Sequence, residues 1–259
     1  MTTQHPFSLA GKTALVAGAS RGIGQAIAEA LARAGARTIL ASRNMEALAK
    51  VAEGLKAEGC EAEARALDVA SRESREALVA GLPAVDILVN VAGINQRKKF
   101  EDYSREEYDR LLETNLHGIV ELTQAIGRKM IERGAGGKVI HIGSLTSVTG
   151  LPFVSVYTIT KAALAGLTRA LAAEWGRHSI QVNCIAPGFI LTDLNRDMWS
   201  AGPMLEWLKA SQANPRMGSV EDVAPLAVFL AGAGADYITG QVIAVDGGFL
   251  ETSVWPFNP

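Results

Sequence analysis

The sequence predicts an α/β protein: one doubly wound domain in which about seven parallel strands are covered by helices on both faces. Three observations lead there. Short runs rich in β-branched residues alternate with longer helical patterns from end to end. The runs are apolar almost throughout, as strands buried on both faces must be. The first of them passes through a glycine-rich turn directly into an amphipathic helix. With 259 residues, 48% of them hydrophobic, and 26 glycines, the chain has enough apolar material for a large core.

The elements follow in order. TALVA (13–17) is the first strand. In IGQAIAEALARAG, residues Ile23, Ile27, Leu31 and Ala34 recur at helical spacing and Gly35 supplies a stop. RTILAS (37–42) and EARALDV (63–69) read as the second and third strands, and DILVN (86–90) as the fourth, entered after a comparatively short helix. KVIHIG (138–143), IQVNCIA (180–186) and QVIAVD (241–246) complete the set. The largest irregular insertion is expected from about 192 to 216. No repeat, low-complexity tract or linker divides the chain, so the domain is expected to span 1–259.

Composition narrows the function. The 25 basic and 27 acidic residues are mixed along the chain and leave a net charge of −2, which builds no broad basic surface for nucleic acid or anionic lipid. A small-molecule substrate is expected, with no nucleic-acid or membrane partner. Cys60 and Cys184 have neither metal-ligand spacing nor a disulfide framework, which fits a reducing compartment. His5, His117, His141 and His178 are scattered, so no metal site is expected. MTTQHPFSLAGK lacks the basic start and apolar block of a secretory signal, and no apolar run is long enough to span a membrane. A cytoplasmic location is the expectation.

Ligands of such sheets bind beyond the carboxyl ends of the strands. At the first junction Gly18, Gly22 and Gly24 form GxxxGxG, where glycine permits close backbone approach and the helix's free N–H groups attract a pyrophosphate. At the second junction an acidic residue would hydrogen-bond a ribose hydroxyl, but Ser42 and Arg43 stand there. A small residue removes the repulsion of a 2′-phosphate, and a guanidinium can grip it with paired hydrogen bonds. Arg21 falls on the same side, so NADP(H) is favoured over NAD(H); the plain alternative is that both arginines are surface cations.

YTITK (157–161) places Lys161 one helical turn after Tyr157. A cation about 4 Å from a phenolate, at an effective dielectric of about 20, is worth about 4 kcal/mol. That is roughly three pKa units, enough to draw a phenol from about 10 toward 7. Tyr157 is therefore the candidate acid/base, and Ser144, at the end of the fifth strand, the candidate hydrogen-bond partner of a carbonyl oxygen.

Together with NVAG (90–93), Asn115 in TNLHG, APG (186–188) and VDGG (245–248), these motifs make the chain resemble a short-chain dehydrogenase/reductase over essentially its whole length. The resemblance implies a Rossmann-type domain and a catalytic set of Asn115, Ser144, Tyr157 and Lys161, with Asn115 holding a water that links Lys161 to solvent. For the dinucleotide it implies Gly18, Ser20, Arg21, Gly22, Ile23 and Gly24, then Ser42, Arg43 and Asn44, with Asp68 and Val69 near the adenine. Asn90, Ala92 and Gly93 would line the ribose side. Pro187, Gly188, Ile190 and Thr192 would hold the nicotinamide beside Tyr157 and Lys161. Ala17 and Val91 depart from the family pattern, which more often reads TGxxxGIG and NNAG. Both lose a polar side chain, so looser strand ends are expected there.

Ser144, Tyr157, Thr146 and Arg97 are the candidate substrate contacts. Arg97, Lys98 and Lys99 suit a carboxylate or are solvated cations. Trp199, Met204, Trp207 and Leu208, within 192–216, form a substrate lid or pack on the core. AGINQR, EDYSREEYD and WGRH look similar to gluconate 5-dehydrogenases, with 3-oxoacyl carrier-protein reductases almost as near. The expected reaction is ketone and secondary-alcohol interconversion on a sugar acid, polyol or related keto compound. Acyl-thioester reduction is the second reading, and a non-catalytic NADP(H) sensor the third. Trp255 and Phe257 in the tail, together with the resemblance, point to a homotetramer.

Overall fold

The computed structural model describes residues 5–192, 195–199 and 202–252. Its sheet contains β1 (Thr13–Ala17), β2 (Arg37–Ser42), β3 (Ala62–Ala66), β4 (Ile87–Asn90), β5 (Gly137–Ile142), β6 (Ile180–Pro187) and β7 (Val242–Val245). All pairings are parallel, in the order β3-β2-β1-β4-β5-β6-β7. The order reverses between β1 and β4, and the crevice at that switch point is where such a sheet takes its ligand.

Adjacent residues of β1 show why the strands are apolar throughout. Val16 enters one core with Ile27 and Leu31 of α1 (Gly22–Arg33) and Val223 and Leu230 of α9 (Val220–Ala231). Leu15 enters the other with Leu122, Ile126 and Met130 of α5 (Gly118–Arg133). The remaining helices are α2 (Met45–Ala57), α3 (Arg72–Ala80), α4 (Arg105–Leu112), α6 (Ser155–Trp175), α7 (Arg196–Trp199) and α8 (Gly202–Ser211).

Three sequence expectations change. The third strand stops at Ala66, so Asp68 and Val69 lie in the following turn; only the Leu67 N–H still reaches the Ser42 carbonyl. Within 192–216 the described residues Arg196–Trp199 and Gly202–Ser211 are helical, with Trp199 and Leu208 buried. The strand ends bearing Ala17 and Val91 are joined through the backbone: the Ala17 carbonyl accepts from both the Val91 and Ala92 N–H groups at 2.8 Å. Trp255 and Phe257 lie outside the described residues.

Candidate active site

The glycines of the first junction are packed to the limit of what a side chain allows. A Cβ on Gly18 would stand 2.6 Å from the Ala92 nitrogen, and one on Gly24 2.0 Å from the Gly18 carbonyl oxygen. Gly22 (φ +56) instead faces only the Thr192 methyl, at 3.4 Å. Helix α1 starts at Gly22 with no side-chain cap and no acidic residue in its first turn. Its open N–H groups are thus free for phosphate, and the residues present fit a dinucleotide. Ser20 and Ile23 belong to the same turn and first helical residues.

At the end of β2, Ser42 Oγ accepts from the Asn44 N–H (3.2 Å), and Asn44 Oδ1 caps α2 through Ala47 (3.0 Å). These local bonds shape the turn and leave Arg43 exposed at its tip. Asp68 Oδ1 is spent on the Ala70 N–H. Val69 is held by the buried Arg75, whose guanidinium donates to the Val69 carbonyl at 2.5 Å and also engages Glu121. Asn90 is 2% exposed and its amide donates to Thr123 Oγ1 and to His141 Nδ1. Its side chain therefore turns into the sheet, leaving only its backbone, with Ala92 and Gly93, for the ribose side.

Asn115 and Lys161, two of the expected catalytic residues, meet on the far side of Gly93, where a Cβ would lie 3.4 Å from Asn115 Oδ1 and 3.6 Å from Lys161 Nζ. Asn115 is fully buried in a π-helical turn (Glu113–His117) between α4 and α5. Such turns re-aim a side chain within an otherwise continuous helix. Here the amide brackets Ile94, accepting from its N–H and donating to its carbonyl, each at 2.8 Å. Ser144 follows β5, its Oγ accepting from the Thr146 N–H while its own N–H donates to Ser147 Oγ, each at 3.2 Å. Thr146 is itself buried (3%), with no partner for its hydroxyl among the described residues, so its visible task is to orient Ser144.

Tyr157 lies in the first turn of α6, and burial pushes its phenol up to about 12; the Ser144 hydrogen bond and the positive charge of Arg97 oppose that rise. Lys161 does not by itself draw the phenol toward 7, contrary to the expectation from spacing. Its ammonium donates to the Ile142 carbonyl at 2.8 Å and lies 5.6 Å from the centre of the tyrosine ring. Burial, with no carboxylate among its partners, brings Lys161 down to about 8. Behind it, Asn90, His141 and Cys184 are register neighbours on β4, β5 and β6. Burial and the Lys161 charge bring His141 down to about 4, so this imidazole is neutral.

On the nicotinamide side, Gly188 is pressed against Asp246: a Cβ there would lie 2.7 Å from Asp246 Cα, a steric reason for the glycine of APG beside VDGG. Ile190 donates its N–H to the Gly188 carbonyl. The side chain of Asn195 brackets the stretch, donating to the Ile190 carbonyl (2.9 Å) and accepting from the Thr192 N–H (2.8 Å). Sequence reasoning missed Asn195; an asparagine three residues after Thr192 is the only signal, a side chain suited to closing a loop. It also missed His141, which reads as one more strand residue, and Arg75, whose burial nothing in SRESREAL announces. Of the expected lid residues, Trp199 and Leu208 are packed inside, and Phe189 meets Trp199 and Trp207 edge-on at 5.2 and 5.4 Å. Met204 and Trp207 are partly exposed.

Of the three cations after β4, Lys98 is paired with Glu107 at 2.7 Å. Arg97 is exposed, has no ion-pair partner among the described residues, and its charge is felt at the Tyr157 phenol.

Close-packed glycines at an uncapped helix start, with a serine, tyrosine and lysine gathered near them, are the arrangement of a nicotinamide-dependent oxidoreductase. The family described as enoyl-(acyl carrier protein) reductase matches residues 18–250. The chain is 40% identical over 253 residues to the gluconate 5-dehydrogenase of Gluconobacter oxydans, covering 94% of this chain and 97% of that one. It is 41% identical over 248 residues to the 3-oxoacyl-[acyl-carrier-protein] reductase FabG of Pseudomonas aeruginosa, covering 93% and 98%. A gluconate 5-dehydrogenase from Burkholderia cenocepacia, solved with NADP and tartrate, superposes with a TM-score of 0.91 at 37% identity, covering 96% and 98%. The chain belongs to the short-chain dehydrogenase/reductase family and acts on CH–OH groups.

Proposed function

We propose that this enzyme uses NADP(H) to interconvert a ketone and a secondary alcohol on a small polyol that carries a carboxylate, a sugar acid being the nearest class. The observation that carries the substrate reading is Arg97, an exposed cation with no ion-pair partner among the described residues, whose charge opposes the rise of the Tyr157 phenol. Bound at the crevice, NADPH supplies the hydride. Tyr157 delivers the proton to the forming alkoxide, and the Ser144 hydroxyl stabilises the charge that builds on that oxygen. Lys161 holds an ammonium behind the ring, and Asn115 fixes the Ile94 backbone at the cleft wall. Tyr157→Phe is expected to fold and to bind NADPH while turnover falls below a tenth; retained turnover above that level rules out the assignment. For substrate class, Arg97→Met should lower kcat/KM for D-gluconate at least tenfold while changing that for sorbitol less than threefold.

Exposed Arg43 and Arg21 support NADP(H) over NAD(H). Arg43→Ala should raise KM for NADPH several-fold more than for NADH, and equal effects would count against the phosphate clamp. Reduction of a 3-oxoacyl thioester is the second reading, favoured by exposed Val148 and Phe153 beside the Ser144–Tyr157 segment; turnover of acetoacetyl thioester but not of sugar acids would select it. Homotetramer assembly and a cytoplasmic setting are part of the same proposal. An apolar groove of about 520 Å³ between α5 and α6, lined by Val120, Leu167, Leu171 and Trp175, is offered to a second copy. Cys60 and Cys184 are both free thiols, and no helix of the described residues is long and apolar enough to cross a membrane.

A further inference from the structure

Phe153 has φ +65, and it is one of only two non-glycine residues with positive φ among the described residues. A bulky side chain enters the left-handed region rarely and at a cost, and such residues persist where the surroundings demand them. Packing of the ring does not explain this one, because Phe153 is 55% exposed. What the backbone gains is a hydrogen bond: the Phe153 carbonyl accepts from the Lys98 N–H at 2.9 Å. Two residues later α6 begins, and with it the turn that carries Tyr157.

The neighbours of Arg97 are anchored on every side. Asn115 brackets Ile94. The Gln96 carbonyl accepts from the Tyr103 hydroxyl at 2.6 Å, and its side chain is held by Glu107 and Arg110. Lys98 is held by Glu107 through its ammonium and by Phe153 through its N–H. The loop is thus fixed around one guanidinium without an ion-pair partner among the described residues, and the Phe153 carbonyl makes the one hydrogen bond, among those residues, that joins the loop to the start of α6.

We infer that Phe153 is a positioning residue for substrate selection: its left-handed backbone turns its carbonyl onto the Lys98 N–H and so holds the Arg97 loop against the start of the tyrosine helix. The chemical class selected is a hydroxylated carboxylate, whose anionic end meets Arg97 while its carbon chain runs to Tyr157. This rests on the Arg97 reading above. The backbone, rather than the ring, performs the task, so glycine is an adequate replacement and a β-branched residue, which resists φ above zero, is not.

Tartrate, a hydroxylated dicarboxylate, serves as the probe, with its affinity measured by calorimetry in saturating NADP+. Wild type should bind it, and Arg97→Met should weaken it at least tenfold. Phe153→Gly should stay within threefold of wild type, whereas Phe153→Val should approach the Arg97→Met value. Lys98→Pro, which deletes the donor N–H, should also approach the Arg97→Met value and carries the test where Phe153→Val does not fold, and Lys98→Met, which keeps the N–H, should stay within threefold. NADP+ affinity should be the same in every variant that folds, which a general loss of structure would not allow. Wild-type affinity in Lys98→Pro beside a weakened Arg97→Met overturns the clasp and leaves the Arg97 reading standing, as does a Phe153→Gly as weak as Phe153→Val. No tartrate binding by wild type, or none lost in Arg97→Met, overturns the Arg97 reading and this inference with it.

Discussion

The Lys161 ammonium is buried with a neutral carbonyl as its hydrogen-bond acceptor, and its pKa falls from an ordinary 10.5 to about 8. At about 1.4 kcal/mol per unit, holding that charge costs the fold on the order of 3 kcal/mol at neutral pH, less whatever the Ile142 bond returns. Lys161→Met should therefore abolish most turnover while raising stability at pH 7 by about 1–3 kcal/mol in urea unfolding. The sign with pH follows from the two pKa values. Below about 8 the folded lysine is charged and the cost is present in full. From about 8 to 10.5 the folded state releases its proton before the unfolded state does, so wild type gains stability and the gap to Lys161→Met closes. Tyr157 acts oppositely but higher, since its folded value of about 12 exceeds the unfolded 10 and stability falls only between those limits. A gap independent of pH from 7 to 10 would mean that Lys161 keeps its proton in the folded protein across that range, so that burial does not lower its pKa. The sequence named Lys161 through a four-residue spacing, yet not this sign: spacing places two side chains on one helix face, whereas the direction of the shift depends on how much water the rest of the fold removes.

Between α4 and α5 the helix widens into a π turn, and the residue that follows it packs directly on the turn after β3. Gly118 is packed so tightly under the end of the β3 turn that a Cβ would stand 1.9 Å from the Val69 carbonyl oxygen, and Arg75 fastens that same carbonyl. An alanine in a helix interior ordinarily stabilises by about 1 kcal/mol relative to glycine. Here the neighbour is backbone, so Gly118→Ala should instead destabilise by about 1–3 kcal/mol, and moving Val69 should weaken NADPH binding, measured by fluorescence titration, more than it changes KM for the carbonyl substrate. Stabilisation by the alanine would show that the turn yields freely. Such elements were legible to unequal degrees. Strands such as TALVA and RTILAS carry their own apolar signature and their bounds match the structure residue for residue. EARALDV ends early because Asp68 and Val69 serve a turn, and 196–211 forms helices because Trp199 and Leu208 find a tertiary partner that no local pattern announces.

The doubly wound sheet brings residues more than a hundred positions apart to one edge, and that convergence was readable because each strand ends in its own motif. What covers the outside of the molecule was not, since an apolar helix face reads the same whether it packs on the core or on another copy. The groove between α5 and α6 poses that choice directly, because Leu171 and Trp175 remain at its surface after the core beneath them is complete. If a second copy fills it, as proposed, wild type should elute from a sizing column at about 110 kDa, four times the 27.4 kDa chain. Leu171→Glu would place a carboxylate in the buried seam of such a contact, and the cost of desolvating it should split the assembly into smaller species while leaving the sheet intact by circular dichroism. A wild type that elutes as a monomer removes the tetramer. An undisturbed assembly in Leu171→Glu assigns the contact to another face.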